Sequence, residues 1–174
     1  IAAWLQPYRE LLALNAPFIA EQEKVLSQLA SRHPINAWTK TVLGLSPRQV
    51  AVPIGACGRG PGEFRSVSAL WKRMGLAVIN GQRQRKATGD AAIEQGYSPV
   101  RRALMWNICE TIIKAQVRNP KGEDGKSVAG PHAIGPLGQV YIDRKVVELT
   151  KPVAPYIAEA RARRYVTKRL LRQL

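Results

Sequence analysis

A short apolar turn between two helical stretches constrains the fold of this chain most. Residues 42–58 read V-L-G-L-S-P-R-Q-V-A-V-P-I-G-A-C-G. Gly44 can adopt a positive φ and reverse the chain after one helix. Ser46 followed by Pro47 is typical of the start of another helix, with serine as the N-cap and proline at the first helical position. The pattern predicts a helix-hairpin-helix in which Ser46 takes the place of the second glycine.

This turn is also a candidate phosphate contact. It carries no large side chain, so we expect the start of the second helix to be bare. Free N–H groups and the helix dipole would then favour an anion there, and Arg48 would supply a counter-charge. An ordinary corner between two helices with a good N-cap accounts for the same residues, and both interpretations stay open.

The charge of the chain restricts its partners. The 174 residues include 27 Lys and Arg against 12 Asp and Glu, a net charge of +15. Such an excess indicates a polyanion, with nucleic acid the first candidate and an anionic membrane surface the second. Cys57 and Cys109 lack metal-ligand spacing and are predicted to be buried free thiols in a reducing compartment. We expect no membrane span, no cofactor and no metal site.

Residues 1–33 are predicted to form a helical arm. Asn15 and Gln22 are the polar members of a series with alternating spacings of four and three, which is typical of a seam between helices. Pro17 would cost about 3 kcal/mol inside a helix, so we expect a break near residues 15–16. A homodimer through residues 1–32 and an arm folded back on its own domain are both open. The series comprises Trp4, Tyr8, Leu11, Asn15, Phe18, Gln22, Val25 and Leu29.

Residues 34–174 are predicted to form one helical domain, which makes the fold all-α, a helix-hairpin-helix core preceded by a coiled-coil-like arm. Pro53 is expected to kink its helix or end it early. Residues 80–90 are predicted to be an exposed, mobile basic loop, and residues 119–138 a long loop prone to disorder. Helices are expected at residues 36–42, 47–57, 67–74, 99–116, 140–150 and 156–174.

Three basic regions are the candidate contacts with nucleic acid: the hairpin, the basic loop and the last helix. Arg101 and Arg102 lie in the first turn of a helix, where cations oppose the dipole, which suggests that an external anion holds them. The last helix carries cations on one face without glutamates to balance them. No catalytic residue is predicted. The predicted nucleic-acid-binding residues are Gly44, Ser46, Arg48, Lys72, Arg73, Arg83, Arg85, Lys86, Arg101, Arg102, Arg161, Arg164, Lys168 and Arg172.

The order of five segments resembles a known domain. They read V-L-G-L-S-P-R-Q-V-A, F-R-S-V-S-A-L-W-K-R-M-G-L-A-V-I-N-G, G-Y-S-P-V-R-R-A-L-M-W-N-I, Y-I-D-R-K and R-A-R-R-Y-V-T-K-R-L-L-R. Together they are similar to the C-terminal transposase domain of the DEDD-type, bridge-RNA-guided insertion-sequence transposases, and closer to phage- and plasmid-borne proteins that share it. The resemblance covers about residues 34–174 and implies a DNA-engaging domain with recombination ancestry, nucleoid-associated in a bacterial cytoplasm.

Two departures from that family bear on activity. Its members carry a separate RuvC-like domain with four acidic metal ligands, and a nucleophilic serine in an S-G-G-like segment. Residues 77–81 read A-V-I-N-G, so Asn80 stands where the serine would be, and an amide cannot form the covalent link to DNA that a hydroxyl forms. We therefore expect double-stranded DNA binding through phosphates rather than recombinase activity. The alternatives are a transposase or recombinase fragment, an RNA-binding ribonucleoprotein component, and a structural protein whose cations serve subunit contacts.

Overall fold

The computed structural model describes residues 3–125 and 130–174, most of which are helical, and it confirms the all-α class. Two short antiparallel pairs accompany the helices: β1 (Val78–Ile79) with β2 (Gln82–Arg83), and β3 (Val117–Arg118) with β4 (His132–Ala133). Within the described ranges no helix is long and apolar enough to cross a bilayer. The helices are α1 (Gln6–Arg32), α2 (Asn36–Thr39), α3 (Pro47–Cys57), α4 (Val67–Arg73), α5 (Asp90–Gln95), α6 (Pro99–Gln116), α7 (Pro136–Leu149) and α8 (Pro155–Gln173).

Serine caps set the starts of three helices, and the cap at Ser46 was predicted. The hydroxyl oxygens of Ser46, Ser66 and Ser98 each accept a hydrogen bond from the backbone N–H three residues later. Each bond satisfies one of the donors that a helix start leaves without an intrahelical partner. The limits of α6 agree residue for residue with the predicted helix at 99–116.

Two expectations about prolines are wrong: a break in the first helix near residues 15–16, and an early end of the later helix at Pro53. Helix α1 continues through Pro17 without a break, and α3 runs past the buried Pro53 to Cys57. A proline removes one backbone donor from a helix. The turns on either side of it keep their own hydrogen bonds, so a long or well-packed helix tolerates the local loss.

The predicted loops contain more regular structure than expected. Residues 80–90 include a hairpin turn and β2, and the unpredicted α5 begins at Asp90. The segment 119–138 ends in β4 and in the first turn of α7, which starts four residues before the predicted position. The part of that predicted loop at residues 126–129 lies outside the described residues.

Helix α6 occupies the centre of the core. Its Met105 and Ile112 are fully buried, and α3, α7 and α8 all pack against it. Ala162 and Val166 line the buried face of α8. Cys57 and Cys109 are buried free thiols, as predicted. Burial raises the pKa of both thiols.

A buried glutamine ties three segments together at the end of α6. The Gln116 side-chain nitrogen donates to the backbone oxygen of Leu43 at 2.8 Å. Its side-chain oxygen accepts from the backbone nitrogen of Gly138 at 3.0 Å. The turn before α3 and the start of α7 are therefore both fixed to the same end of α6.

Candidate nucleic-acid interface

The start of α3 is not bare, so that expectation is wrong. Ser46 and Gln49 form a capping box: the Ser46 backbone nitrogen donates to Gln49 Oε1 at 2.8 Å, and the Gln49 backbone nitrogen donates to Ser46 Oγ at 3.3 Å. Pro47 has no N–H to offer. Gln49, at the third helical position, thus provides an acceptor for the backbone N–H of Ser46. The expectation of a bare helix start did not take this side chain into account.

The other two hairpin residues are also engaged within the fold. Gly44 has φ +91°, and a Cβ added to it would lie 2.6 Å from Cβ of Ala115, so the turn packs closely on α6. Arg48 forms an ion pair with Glu23 of α1 at 2.5 Å. Contact of Gly44, Ser46 and Arg48 with DNA stays a prediction, but packing and capping account for their positions.

Seven of the predicted residues come from four elements that meet in one region, and we call them the cationic cluster. Arg101 Nε donates to the backbone oxygen of Arg73 at 2.8 Å, which joins the start of α6 to the end of α4. A terminal nitrogen of Arg164 donates to the backbone oxygens of residues 76 and 77 at 2.8 and 2.6 Å, which joins α8 to the segment before β1. The cationic cluster comprises Lys72, Arg73, Arg83, Arg101, Arg102, Arg164 and Lys168.

The two arginines at the start of α6 have partners within the protein. Besides the bond from Arg101, a terminal nitrogen of Arg102 donates to the backbone oxygen of Gly75 at 2.7 Å. The carbonyls at the end of α4 lack intrahelical donors and carry the negative end of its dipole, so cations are favourable there. These carbonyls, rather than an external anion, explain the two positions. Each guanidinium has five donors, and each of these bonds uses one.

Like charges crowd one another in the cationic cluster. Burial lowers the pKa of Arg102 and of Arg164, and the positive charge of Arg83 lowers both further. Burial also lowers the pKa of Lys168, with a second contribution from Arg164. Arg83, Arg102, Arg164 and Lys168 are therefore close enough to repel, and a bound anion would relieve that repulsion.

Carboxylates do not neutralise this region. In the part of the chain that the structure describes, no cation of the cationic cluster lies within 4.0 Å of an Asp or Glu oxygen. Lys168 instead lies over the Trp71 ring, 4.3 Å from its centroid. The Trp71 indole nitrogen donates to the Lys168 backbone oxygen at 3.2 Å, which fixes α4 to α8.

Arg161 does not share this environment, although the sequence places it on the same face of α8. Its guanidinium pairs with Glu148 of α7 at 3.2 Å. That carboxylate is only 1% exposed and also pairs with Arg144 and Lys151. The expectation that no glutamate balances the face is therefore wrong for Arg161, because the partner comes from another helix.

The remaining predicted residues stay exposed. Arg85 and Lys86 follow β2, and Arg172 lies near the end of α8. The backbone nitrogen of Arg85 donates to the side-chain oxygen of Gln95 at 3.1 Å, which holds this segment against α5. Their contact with nucleic acid stays a prediction.

Gln84 is the positioning residue that sequence reasoning missed. It is 2% exposed; its nitrogen donates to the backbone oxygen of Lys72 at 2.9 Å, and its oxygen accepts from the backbone nitrogen of Ala77 at 3.1 Å. The β1–β2 hairpin, with Arg83 on it, is thereby fixed to α4. The hairpin itself could have been predicted from the dipeptide Asn80-Gly81, which is typical of a tight hairpin turn. Both residues adopt the positive φ that such a turn requires.

A groove beside the cationic cluster extends the positive surface. It has a volume of about 450 Å³ and is lined by Lys72 and Arg73 together with Arg59 and Arg65, which the prediction did not include. One carboxylate, Glu63, lies among these four cations in the lining. The Arg59 guanidinium lies over the ring of Phe64, 5.3 Å from its centroid. Glycines and a proline around Arg59 made this segment look like a plain loop.

Comparisons of the chain with protein families, with curated proteins and with solved structures find no match. Within the described residues no three His, Cys, Asp or Glu side chains are grouped so as to hold a metal ion. The cationic cluster offers guanidinium and ammonium donors, groups that can bind an anion.

Proposed function

We propose that this chain binds double-stranded DNA, chiefly through the phosphates, and that the cationic cluster is the contact surface. The observation that carries the proposal is the absence of ion-pairing carboxylates around seven cations from four elements, within the described residues. Phosphate oxygens would supply negatively charged acceptors for the donors of these groups that the backbone carbonyls leave unused.

Phosphate contacts position a protein on DNA but carry no base sequence. Arg102 and Arg164 donate hydrogen bonds to backbone carbonyls, so their guanidinium groups are fixed in place before any ligand binds. A rigid set of donors loses little conformational freedom on binding. We therefore expect useful affinity with small sequence preference.

The proposal further holds that the chain is a transposase-derived domain that holds DNA without forming a covalent link to it. The resemblance of residues 34–174 to that domain supports the choice of duplex DNA. Asn80 lies at the tip of the β1–β2 hairpin with φ +50°, and its side-chain nitrogen donates to Glu94 at 3.1 Å. An amide at this place offers no hydroxyl nucleophile.

The test compares binding of a fluorescent duplex by three proteins. Lys72 and Arg83 have exposed side chains, so the double variant Lys72→Ala/Arg83→Ala should fold normally. We expect it to lose about tenfold in affinity. Lys114→Ala is the matched control, because Lys114 lies on the same helix as Arg102 but about 18 Å further along its axis.

Three results would overturn the proposal. Equal affinity of the parent chain and the double variant for the duplex would show that the cationic cluster does not contact DNA. A loss of about threefold in Lys114→Ala, which is the share expected for one of two equivalent charges, would indicate an effect of net charge without a site. Structured RNA that displaces the duplex at matched concentration and salt would favour the ribonucleoprotein interpretation instead.

A further inference from the structure

Helix α1 exposes an apolar face that the rest of the chain leaves uncovered. Trp4 is 72% exposed and Phe18 is 66% exposed. Contiguous apolar surface of this kind indicates an interaction site. Trp4 lies in the turn just before α1. The large exposed side chains of α1 itself are Tyr8, Leu11, Leu12, Leu14, Phe18, Ile19, Val25 and Leu29.

This face is not the one that packs on the body of the protein. Leu29, the last residue of the series, lines the cleft between α1 and α3 but is 59% exposed. Helix α1 otherwise contacts α3 through the buried Ala30, through Leu26, and through the ion pair from Glu23 to Arg48. At about 100° per residue, those residues point roughly a quarter turn away from the seam defined by the alternating series. The seam thus stays accessible while α1 is docked on α3.

We propose that the seam of α1 binds α1 of a second copy of this chain, parallel and in register, and this proposal does not depend on DNA binding. The two polar residues on the seam, Asn15 and Gln22, favour a second copy in this orientation over other binding partners. In a parallel pair, Asn15 meets Asn15 of the second copy and Gln22 meets Gln22. Each amide then has a partner that both donates and accepts.

The Asn15 side-chain nitrogen donates to the backbone oxygen of Leu11 at 2.8 Å within α1, but other arrangements leave the Asn15 side-chain oxygen and the Gln22 amide without partners. In an antiparallel pair centred on the seam, Asn15 would face Phe18 and Gln22 would face Leu11. An apolar peptide or a lipid surface would also bury Asn15 against groups that cannot hydrogen-bond, which costs about 1–3 kcal/mol per group.

The charge of the arm favours a second copy as well. Residues 1–33 contain three Lys or Arg and three Glu, while the whole chain has a net charge of +15. Two arms can therefore approach without the repulsion that would keep the basic domains apart. A neutral arm also has no particular attraction for DNA or for an anionic membrane.

Pro17 is compatible with the pairing. It lies two residues after Asn15, about 200° around the helix, and so faces away from the seam. The backbone acceptor that it leaves free is on the outer face, where water can reach it.

The test measures the mass of the protein in solution. Sedimentation velocity or light scattering of the full chain at about 20–100 μM should give twice 19.2 kDa. Phe18→Glu places a charge in the seam and should give the monomer mass. Ala13→Glu is the matched control on the opposite face of α1 and should stay dimeric; circular dichroism verifies that both variants are folded.

A cysteine crosslink tests the orientation. Leu29→Cys should form a disulfide dimer on mild oxidation, because the two copies of residue 29 are adjacent in a parallel pair and about 38 Å apart in an antiparallel one. Ser31→Cys, on the outer face, should not crosslink, and the native Cys57 and Cys109 are buried.

Two outcomes would overturn the proposal. The first is a monomer mass for the parent chain, or a dimer that Phe18→Glu leaves intact. The second is co-sedimentation with vesicles of anionic lipid that Phe18→Glu abolishes, which would assign the face to a membrane surface. A parent chain that has the dimer mass but does not bind DNA would count against the proposed function alone.

Discussion

Gly44 and Gly81 illustrate two reasons for which a chain needs glycine: a positive φ alone, or a positive φ together with close packing. Both have positive φ, but a Cβ at Gly44 would overlap Ala115, whereas a Cβ at Gly81 would meet nothing within 4 Å. Gly81→Ala should therefore cost only the backbone strain, about 1 kcal/mol. Gly44→Ala adds the overlap with α6 and should cost about 3 kcal/mol or more.

Urea denaturation of the two variants at neutral pH measures the difference in the free energy of unfolding. Equal losses for Gly44→Ala and Gly81→Ala would contradict the close packing of the Gly44 turn on α6. The same result would reopen that turn as a surface that a phosphate could approach.

Glu148 is the residue through which pH should act on stability. Its burial alone would raise the pKa, but the hydrogen bonds from Lys151 and Arg161 and the charge of Arg144 outweigh that effect, and the pKa falls below its ordinary 4.5. A carboxylate with a lowered pKa stabilises the fold above its ordinary pKa, and this contribution is lost as the pH falls through the lowered value.

Glu148→Gln should therefore lower the free energy of unfolding by about 3 kcal/mol at pH 7, since it leaves three cations around a neutral group. The loss should shrink as the pH is taken below 4.5. Urea denaturation across this range measures it. Asp143→Asn, an exposed carboxylate on the same helix, is the control, and an equal or pH-independent loss would contradict the buried ion-pair network.

At the scale of elements, the β1–β2 hairpin depends on one side chain. Replacing Gln84 by Ala leaves the backbone nitrogen of Ala77 and the backbone oxygens of Lys72 and Gln95 without these partners. We expect a loss of about 1–3 kcal/mol and faster amide hydrogen exchange in residues 77–84. DNA affinity should fall too, because Arg83 loses its fixed position.

Gln82→Ala is the matched control for this prediction. Gln82 lies on the same strand but is exposed, so its loss should leave both hydrogen exchange and DNA affinity close to those of the parent chain. If Gln84→Ala behaves like Gln82→Ala, the hairpin is not held by the buried amide, and Arg83 is better described as a freely moving cation.

Sequence reasoning succeeds where the physics of an element is local. The limits of α6 follow from Ser98 and Pro99 at one end, and caps of this kind need no knowledge of distant residues. It fails where the partner is remote in sequence: nothing near Arg161 indicates Glu148, and nothing near Arg48 indicates Glu23. The hairpin at Asn80 was predictable from its turn residues, whereas the burial of Gln84 was not.

On the scale of the whole molecule, the excess positive charge is unevenly compensated. Glu110, Glu148 and Glu159 each pair with cations of α6, α7 or α8. The cationic cluster has no such partners among the described residues. In a chain of net charge +15, other cations without a carboxylate partner, such as Arg9 and Arg118, are spread over the described surface. Seven of them lie together where α4, β2, α6 and α8 meet, and such a grouping is the arrangement that a polyanion recognises.

This distribution gives the proposed DNA complex a characteristic response to salt. Each phosphate that a cation neutralises releases counterions, so log K falls with log[salt] at a slope of about −0.9 per phosphate. Full engagement of the cationic cluster would give a slope near −6. The Lys72→Ala/Arg83→Ala protein should show a slope shallower by about 2, and Lys114→Ala should keep that of the parent. Binding that stays flat between about 50 and 300 mM salt would show that phosphates are not the ligand.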